Sequence, residues 1–395
     1  MSSSVTSSLD AALDAELESL RQAGLERSLR VVRRTLGADV EVDGAPAIDF
    51  SSNDYLGLST DARLAAAGAE AAQEYGSGAG ASRLISGNSP AHEALERDLA
   101  EFFGTGATLS FATGYAANVG TIGALVGRGD AIFSDQLNHA SLIDGCRLSR
   151  AAVHVYPHAD MDALRGLLAR ARASTRRAVI VTDGLFSMDG DLAPLPEIVA
   201  LARAFDAWVY VDDAHATGVL GSHGRGSPEH CGVEGDIDVL VGTLGKAFGG
   251  AGAYVAGSET LRRLLINRAR SFVFSTGPLP AQAAIARAAI GIVRAEPDRR
   301  ARVARNADAM RAALTERRIP GVAPTGTHII PIHIGHAAAT ARIGNELARR
   351  GVLVGAVRPP TVPDGTSRLR ISLSAAHTDD QIGRLADTLA DVIHE

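Results

Sequence analysis

Lys246 is the residue from which the chemistry of this chain can be argued. It is the only lysine in a sequence of 395 residues, so every other member of its 39 Lys and Arg residues is arginine. It lies in Val241–Gly250, a short apolar run that breaks into glycines. Because a guanidinium stays protonated in proteins, arginine can carry surface charge but cannot act as an amine nucleophile. The lone lysine therefore indicates a Schiff base, with a coding bias against lysine as the alternative explanation.

Asp212-Asp213-Ala214-His215, which ends another strand-like run, contains the groups that a pyridoxal phosphate site needs beside a lysine. A carboxylate next to the ring nitrogen of that cofactor keeps the nitrogen protonated, which makes the ring an electron sink. A histidine three residues further on can reach the phenolic oxygen of the ring. Solvated acids in a turn, or a pair of metal ligands, are the alternative interpretations of this segment.

Three further strand ends carry residues of suitable type. Thr113-Gly114-Tyr115 opens a predicted helix, where free N–H groups and the helix dipole favour a phosphate. His139 can stack on a cofactor ring, Ser187 can donate a hydrogen bond to it, and Thr243 can hold its phosphate. Each signal is modest alone, since a single histidine is more often structural. Because ligands collect at the carboxyl ends of strands in an open α/β sheet, the combination predicts a pyridoxal phosphate site.

Alternating apolar runs and helical periods predict the elements that position these residues. The pattern is typical of a mainly parallel sheet covered on both faces, with strands expected at 108–111, 131–134, 152–156, 178–182, 208–212, 238–242 and 253–256. An amphipathic helical arm over 9–34 and a hairpin over 40–50 precede this sheet, and a long helical stretch over 278–317, interrupted at Pro297, follows it. We expect an N-terminal arm and hairpin (1–50), a large cofactor-binding α/β domain (51–285) and a smaller α+β C-terminal domain (286–395).

Composition excludes several classes of function. A formal net charge of −6 without blocks of like charge argues against a nucleic-acid or membrane-surface partner. No stretch approaches the ~18 apolar residues of a membrane span, and the Ser-rich start has no secretory pattern. Cys146 and Cys231 lack metal-ligand spacing, so we expect no metal site and a reducing, cytoplasmic location. No GxGxxG or GxxxxGK[ST] motif supports dinucleotide or ATP binding.

Four segments carry a family resemblance: Ser51–Leu58, Ser187–Asp191, Asp212–His215 and Thr243–Lys246. With them the chain resembles the α-oxoamine synthases, which are fold-type I pyridoxal phosphate transferases with an aspartate-aminotransferase-like fold. Members of this family condense an amino acid with an acyl thioester. Ala356–Pro363 is most similar to the branch that joins L-alanine to a pimeloyl thioester in biotin biosynthesis.

The resemblance also implies residue roles. Lys246 binds the cofactor and moves the α-proton of the substrate, Asp212 pairs with the ring nitrogen, His215 pairs with the ring oxygen, and His139 stacks on the ring. The other cofactor-binding residues implied are Gly114, Tyr115, Ser187, Thr243 and Thr276. Thr276 is expected to reach the phosphate of a partner subunit, which implies a homodimer with shared active sites. The substrate-binding residues implied are Arg27, Asn53, His139, Arg358, Thr361 and Arg370, with Arg370 on the amino-acid carboxylate.

Alternatives remain at this stage. Another α-oxoamine synthase would use glycine or serine with a different acyl-CoA. An aminotransferase or an amino-acid lyase would use the same fold and cofactor without a thioester. A cofactor-binding or scaffold protein that catalyses no reaction is the non-enzymatic alternative. The acyl donor, whether a coenzyme A or a carrier-protein thioester, is left open by the sequence.

Overall fold

The structure, a computed structural model, describes residues 8–35 and 37–394. Its strands are β1 (Val32–Arg34), β2 (Asp39–Val42), β3 (Ala45–Asp49), β4 (Ala107–Phe111), β5 (Ala131–Asp135), β6 (Ala152–Tyr156), β7 (Ala178–Asp183), β8 (Trp208–Asp212), β9 (Val239–Thr243), β10 (Ala253–Gly257), β11 (Ile329–Gly335), β12 (Val352–Leu353), β13 (Gly355–Val357) and β14 (Ser367–Ser372). Its α-helices are α1 (Ser8–Gln22), α2 (Ala62–Tyr75), α3 (Pro90–Phe103), α4 (Gly114–Leu125), α5 (Ala140–Ser149), α6 (Met161–Ala171), α7 (Leu195–Ala204), α8 (Ser227–His230), α9 (Glu259–Arg268), α10 (Arg270–Val273), α11 (Pro280–Ala295), α12 (Asp298–Glu316), α13 (Ala337–Arg349) and α14 (Asp379–His394).

The chain divides into two compact units. The small unit comprises the described residues up to Ser52, Arg305–Leu373 and those from His377 onward. The large unit comprises Asn53–Ala304 with Ser374–Ala376. The N-terminal segment therefore groups with most of the C-terminal residues. No α-helix among residues 8–35 and 37–394 is long and apolar enough to cross a membrane.

The large unit is built on a seven-stranded sheet of order β4-β10-β9-β8-β7-β5-β6. The pairs β6–β5, β5–β7, β7–β8 and β8–β9 are parallel, as predicted. Strand β10 is antiparallel to both of its neighbours, which makes the sheet mixed. The link from Thr243 to Ala253 contains no helix, and a connection this short cannot cross over to start a parallel strand. The apolar pattern of β10 alone could not reveal its direction.

The strand ends deliver the candidate residues to one edge of this sheet. Asp212 and Thr243 are the last residues of β8 and β9. The Thr113 side chain caps α4 by accepting from the Ala116 N–H, so the chain passes from β4 to a helix within three residues. His139 occupies the corresponding cap of α5, after β5. The sheet core, which includes Ile132 and Val241, is fully buried and holds these ends rigidly.

The small unit contains two sheets, β1-β2-β3-β12 and β11-β14-β13. The predicted hairpin is present, because β2 pairs antiparallel with β3. The predicted helical arm is shorter than expected: α1 ends at Gln22, Gly24 takes a left-handed φ of 67°, and residues 32–34 pair with β2 as a strand. Strand β12 adds to β3 in parallel, which joins the two ends of the sequence in one sheet.

Candidate functional site

Lys246 lies in the turn between β9 and β10. Backbone hydrogen bonds from Leu244 N–H to the Gly252 carbonyl (2.9 Å) and from Gly249 N–H to the Lys246 carbonyl (2.9 Å) fix this turn. The half-buried Lys246 amine is 2.8 Å from Nε2 of His215. Two residues that the sequence assigns to the same site are therefore in direct contact. On the other side of the ring, His215 Nδ1 is 2.6 Å from the hydroxyl of Tyr55.

Asp212 is held by donors on both of its oxygens. The Asn118 amide donates to Oδ2 at 2.6 Å, and the Ala214 N–H donates to Oδ1 at 3.0 Å. Tyr210 fixes the Asn118 amide in turn by donating to its Oδ1 at 2.8 Å. These hydrogen bonds fix the orientation of the carboxylate, as is needed for a partner of a protonated ring nitrogen. Asn118 lies one helical turn after Gly114 on α4, and no motif in the sequence pointed to it.

The neighbouring acid, Asp213, has a different environment. It is fully buried, and burial raises its pKa to about 7 against the opposing hydrogen bonds from Ser227 and Thr217. The Thr217 hydroxyl donates to Asp213 Oδ2 at 3.1 Å, and the Ser227 N–H donates to the same oxygen at 3.1 Å. Asp213 therefore anchors the loop that leads into α8. Of the two adjacent acids, only Asp212 bonds to Asn118.

His139 stands at the start of α5 with its main-chain N–H donating to Asp183 Oδ2 at 2.7 Å. Its Nδ1 is 2.7 Å from the Ser141 hydroxyl. Desolvation lowers the pKa of His139; the Asp212 charge opposes this effect and the Lys246 charge adds to it. Burial raises the pKa of Asp183 well above its usual value, and the nearby Asp212 charge acts in the same direction. A neutral imidazole at the rim of the site suits stacking on an aromatic ring.

Gly114 and Thr243 form a cradle at the N-terminus of α4. A Cβ at position 114 would lie 2.7 Å from Cγ2 of Thr243, so only glycine fits there. Thr243 Oγ1 is buried and has no hydrogen-bond partner among the described residues. A donor without a partner beside a helix N-terminus suits a phosphate dianion. Tyr115 is half exposed and its hydroxyl donates to Asp144, so the main chain is the part of Tyr115 available to a phosphate.

Ser187 is half-buried in the loop after β7. Leu185 and Leu192 bridge the ends of this loop, and His158 ties it to the sheet. His158 Nε2 is 2.7 Å from Asp191 Oδ2, and its Nδ1 is 3.0 Å from Asp135 Oδ1. Although burial disfavours the charged ring, these two carboxylates raise the pKa of His158 to about 10. No motif in the sequence pointed to His158.

Thr276 lies on the surface of the large unit. It is exposed and bridges Ser82, in the glycine-rich segment between α2 and α3 (residues 76–89). Four large apolar side chains in these two segments and just before α11 are also exposed: Leu84 (47%), Ile85 (81%), Phe274 (71%) and Leu279 (42%). Asn53 is in the same unit, and its Oδ1 accepts a hydrogen bond from the Tyr55 hydroxyl at 3.0 Å.

Arg27, Arg358 and Thr361 come together in the small unit. Arg358 donates to the Gly24 carbonyl at 2.6 Å, and Arg27 donates to the Pro359 carbonyl at 3.1 Å. The Thr361 N–H donates to the Arg358 carbonyl at 3.1 Å. Desolvation lowers the pKa of Arg358, and the Arg27 charge adds to this effect. Arg358 Nε has no hydrogen-bond partner within residues 8–35 and 37–394.

Arg370 is buried in the small unit, on the central strand of its three-stranded sheet. Strand β14 pairs with β11 on one side and β13 on the other, with Pro331 and Gly355 opposite Arg370. Its guanidinium donates to the Ser372 hydroxyl at 2.8 Å. The rigid strand positions this cation more precisely than a loop would.

The chain is similar to known proteins in both sequence and structure. The family model "Aminotransferase class I and II" matches residues 45–389. An 8-amino-7-oxononanoate synthase from Geobacter sulfurreducens is 51% identical over 379 residues, covering 95% of this chain and 96% of that protein. A serine palmitoyltransferase variant from S. paucimobilis, solved with a pyridoxal phosphate–myriocin adduct, is 31% identical with a TM-score of 0.92, covering 97% of each chain. An 8-amino-7-oxononanoate synthase from Francisella tularensis is 27% identical with a TM-score of 0.76, covering 88% of this chain and 98% of that one.

Proposed function

The chain belongs to the class I and II aminotransferase family, in its α-oxoamine synthase group, and we propose from this that it performs the 8-amino-7-oxononanoate synthase reaction. The reaction joins L-alanine to a pimeloyl thioester and yields 8-amino-7-oxononanoate, carbon dioxide and the free thiol, as a step of biotin biosynthesis. The contact between the only lysine and His215, at 2.8 Å, is the observation that carries the chemistry. The 51% identity over nearly the full length supports the choice of substrates.

Pyridoxal phosphate is the cofactor of this enzyme, and the cofactor-side residues fit it. When bound, it supplies an electron-accepting ring that allows the α-carbon of an amino acid to lose a proton. Gly114, Thr243 and the N-terminus of α4 would hold its phosphate, and Asp212 its ring nitrogen. The other proposed contacts are those of His139 with the ring face, Ser187 with the ring oxygen, and Tyr115 through its main chain. His215 is proposed to lie beside the cofactor with its Nε2 on the Lys246 amine.

Lys246 is the proposed base. Its amine is the only side-chain amine in the protein, so it both attaches the cofactor and accepts the α-proton of alanine. The Nε2 atom of His215 faces this amine and orients it. Lys246 later returns the proton to the same carbon, after carbon dioxide has left. One residue thus serves two proton transfers at one atom.

Arginine residues provide most of the proposed substrate contacts. Arg370 would bind the alanine carboxylate, which it must release when that group departs as carbon dioxide. Arg27 and Arg358 donate to carbonyl groups and form no ion pair with a carboxylate among the described residues. Their positive charge is therefore available to an anionic group of the acyl donor or the product. Thr361 and Asn53 complete the proposed substrate set.

A homodimer with shared active sites is part of this proposal. Thr276 is exposed, and the exposed Ile85, Phe274 and Leu279 lie within three residues of it or of its bridge partner Ser82. Exposed apolar residues grouped in this way are typical of a protein interface. Thr276 would then contact the phosphate bound in the partner subunit. A cytoplasmic location also remains a prediction.

The proposed function is tested by following thiol release with a panel of acyl-CoA donors, each offered with alanine, glycine or serine. We expect pimeloyl-CoA with alanine to give the highest kcat/KM and one thiol released per amino ketone formed. A preference for glycine, serine or a short acyl chain would contradict the proposed substrates and leave the family unchanged. Amino-group transfer without thiol release would indicate an aminotransferase instead. Repeating the assay with a pimeloyl carrier protein distinguishes the two possible thioesters.

A further inference from the structure

Tyr55 extends the contact between Lys246 and His215 into a chain of four polar side chains. Its hydroxyl lies 2.6 Å from His215 Nδ1 and donates to Asn53 Oδ1 at 3.0 Å. Tyr55 is fully buried, and His215 is 7% exposed. All of these residues belong to the large unit. The order of the chain is Asn53, Tyr55, His215, Lys246.

The number of protons on these four side chains determines which group donates in each hydrogen bond. A phenol has a single proton, and a neutral imidazole carries one proton on one of its two nitrogens. If Tyr55 donates to Asn53, it must accept from His215, so the histidine proton is on Nδ1. Nε2 then presents a lone pair to the Lys246 amine, 2.8 Å away. An ammonium group has three donors and no acceptor, so Lys246 can only donate to Nε2. Each of the three hydrogen bonds then has one donor and one acceptor.

We propose that Tyr55 is a positioning residue that holds His215 in its Nδ1-protonated tautomer, so that Nε2 accepts a hydrogen bond from Lys246. The inference rests on the proposed function only in taking Lys246 as the reacting amine. When Lys246 gains the proton of the substrate α-carbon, the new N–H finds an acceptor already in place. Such an acceptor stabilises the ammonium form, and without Tyr55 the imidazole proton is free to move to Nε2 and oppose it.

The single lysine makes this proposal measurable. In the cofactor-free full-length chain labelled with 13C-lysine, Lys246 gives the only side-chain lysine signal, and the chemical shift of its Cε follows protonation of the amine. We expect Tyr55→Phe to lower the pKa of Lys246 by about one unit, as expected for the loss of a hydrogen bond to a charged group. The other charges that interact with this site, those of Asp212, Asp183 and His139, are the same in both proteins.

A matched control is Tyr156→Phe, since Tyr156 is also fully buried in the large unit but lies outside the chain of four residues. This variant should leave the Lys246 titration unchanged. In the holoenzyme, Tyr55→Phe should lower kcat about tenfold and change the alanine KM much less, because Arg370, the proposed contact of the alanine carboxylate, remains. An equal shift of the Lys246 titration in both tyrosine variants, or no shift in either, would overturn the proposal.

A measurement on the wild-type chain covers the case in which Tyr55→Phe does not fold. In 15N-histidine-labelled protein, the ring of His215, assigned through the His215→Asn variant, should show a protonated Nδ1 and an unprotonated Nε2. The opposite tautomer would exclude the proposed role of Tyr55. Failure of the proposed function would leave this result unaffected, because neither the thioester nor alanine enters the measurement.

Discussion

The lysine region of the large unit and the arginine region of the small unit are built in opposite ways. Around Lys246, side chains bond to side chains: Tyr55 to His215, His215 to Lys246, and Asn118 to Asp212, at 2.6 to 2.8 Å. Around Arg27 and Arg358, the guanidinium groups bond to main-chain carbonyls. The first region is a completed network, whereas the second retains positive charge that no carboxylate of the described chain neutralises.

The difference suits two kinds of ligand: a cofactor that stays bound, and substrates that bind and leave at every turnover. A cofactor that stays bound through many turnovers favours residues already fixed in the correct orientation, since no ordering is needed at each cycle. A substrate that must enter and leave favours charges held in place by carbonyls, because an internal carboxylate would compete with the incoming anion. Substitutions in the two regions should therefore differ in which kinetic constant they change.

The largest expected effect is that of Lys246→Arg. This variant keeps the charge but removes the amine, so the cofactor cannot be attached and the α-proton has no base; we expect kcat to fall by at least about 10⁴-fold. Thiol release with alanine and the visible absorbance of the cofactor measure the two losses separately. Residual turnover above about 1% of wild type would place the reacting base elsewhere.

Arg370→Ala should affect the substrate side alone. Loss of a charge-assisted hydrogen bond to a carboxylate corresponds to about a 10- to 100-fold rise in the alanine KM. The affinity for the cofactor, measured by titrating it into cofactor-free protein, should not change. Arg370→Lys, which keeps a positive charge without the planar fork, should give an intermediate KM. An unchanged alanine KM in Arg370→Ala would remove this residue from the substrate site.

Thr243→Val should change only the affinity for the cofactor, and by a smaller factor than Arg370→Ala changes the alanine KM. The substitution keeps the shape of the side chain and removes a buried hydroxyl that has no hydrogen-bond partner among the described residues, so cofactor affinity should fall about tenfold while the alanine KM stays the same. Thr121→Val is the matched control, because the buried Thr121 hydroxyl also has no hydrogen-bond partner in the part of the chain that the structure describes. Equal losses of cofactor affinity in both variants would show that Thr243 has no specific contact.

His158→Gln should have the smallest effect on turnover, because its main effect is on the stability of the fold. The pKa of His158 is raised to about 10 in the folded state, above its usual 6.5, so the charged ring stabilises the fold. This contribution is fully present below about pH 6.5 and is lost as the pH rises through about 10. We expect His158→Gln to lower the free energy of unfolding by about 2 to 3 kcal/mol near pH 6 and by much less near pH 10.

Urea unfolding at both pH values measures the effect of His158→Gln. The control is His230→Gln, which changes an exposed histidine on α8 and should show no such dependence. A loss of stability that is the same at both pH values would mean that packing, and not the charge of His158, stabilises the loop after β7.

Local sequence pattern predicted the strands and, with them, the residues that follow their carboxyl ends. Asp212, His215 and Lys246 could be identified because apolar runs mark where a strand stops, and strand ends meet at one sheet edge. Asn118 and His158 were missed, because their roles come from contacts with Asp212 and Asp191, distant in sequence. Similarly, no local pattern indicates that β12 pairs with β3, or that β10 runs against its neighbours.

The use of arginine rather than lysine everywhere except at position 246 has a chemical consequence for this protein. Pyridoxal phosphate is an aldehyde and the acyl donor is an activated ester, and both react with primary amines but not with guanidinium groups. The ion pairs of the described surface are made by arginine and histidine, for example Arg63 with Asp61 and Arg176 with Asp130. Neither reagent therefore meets a side-chain amine other than that of Lys246, and stray modification by the enzyme's own cofactor and substrate is avoided. Borohydride reduction of the holoenzyme should accordingly label one side chain per protein chain.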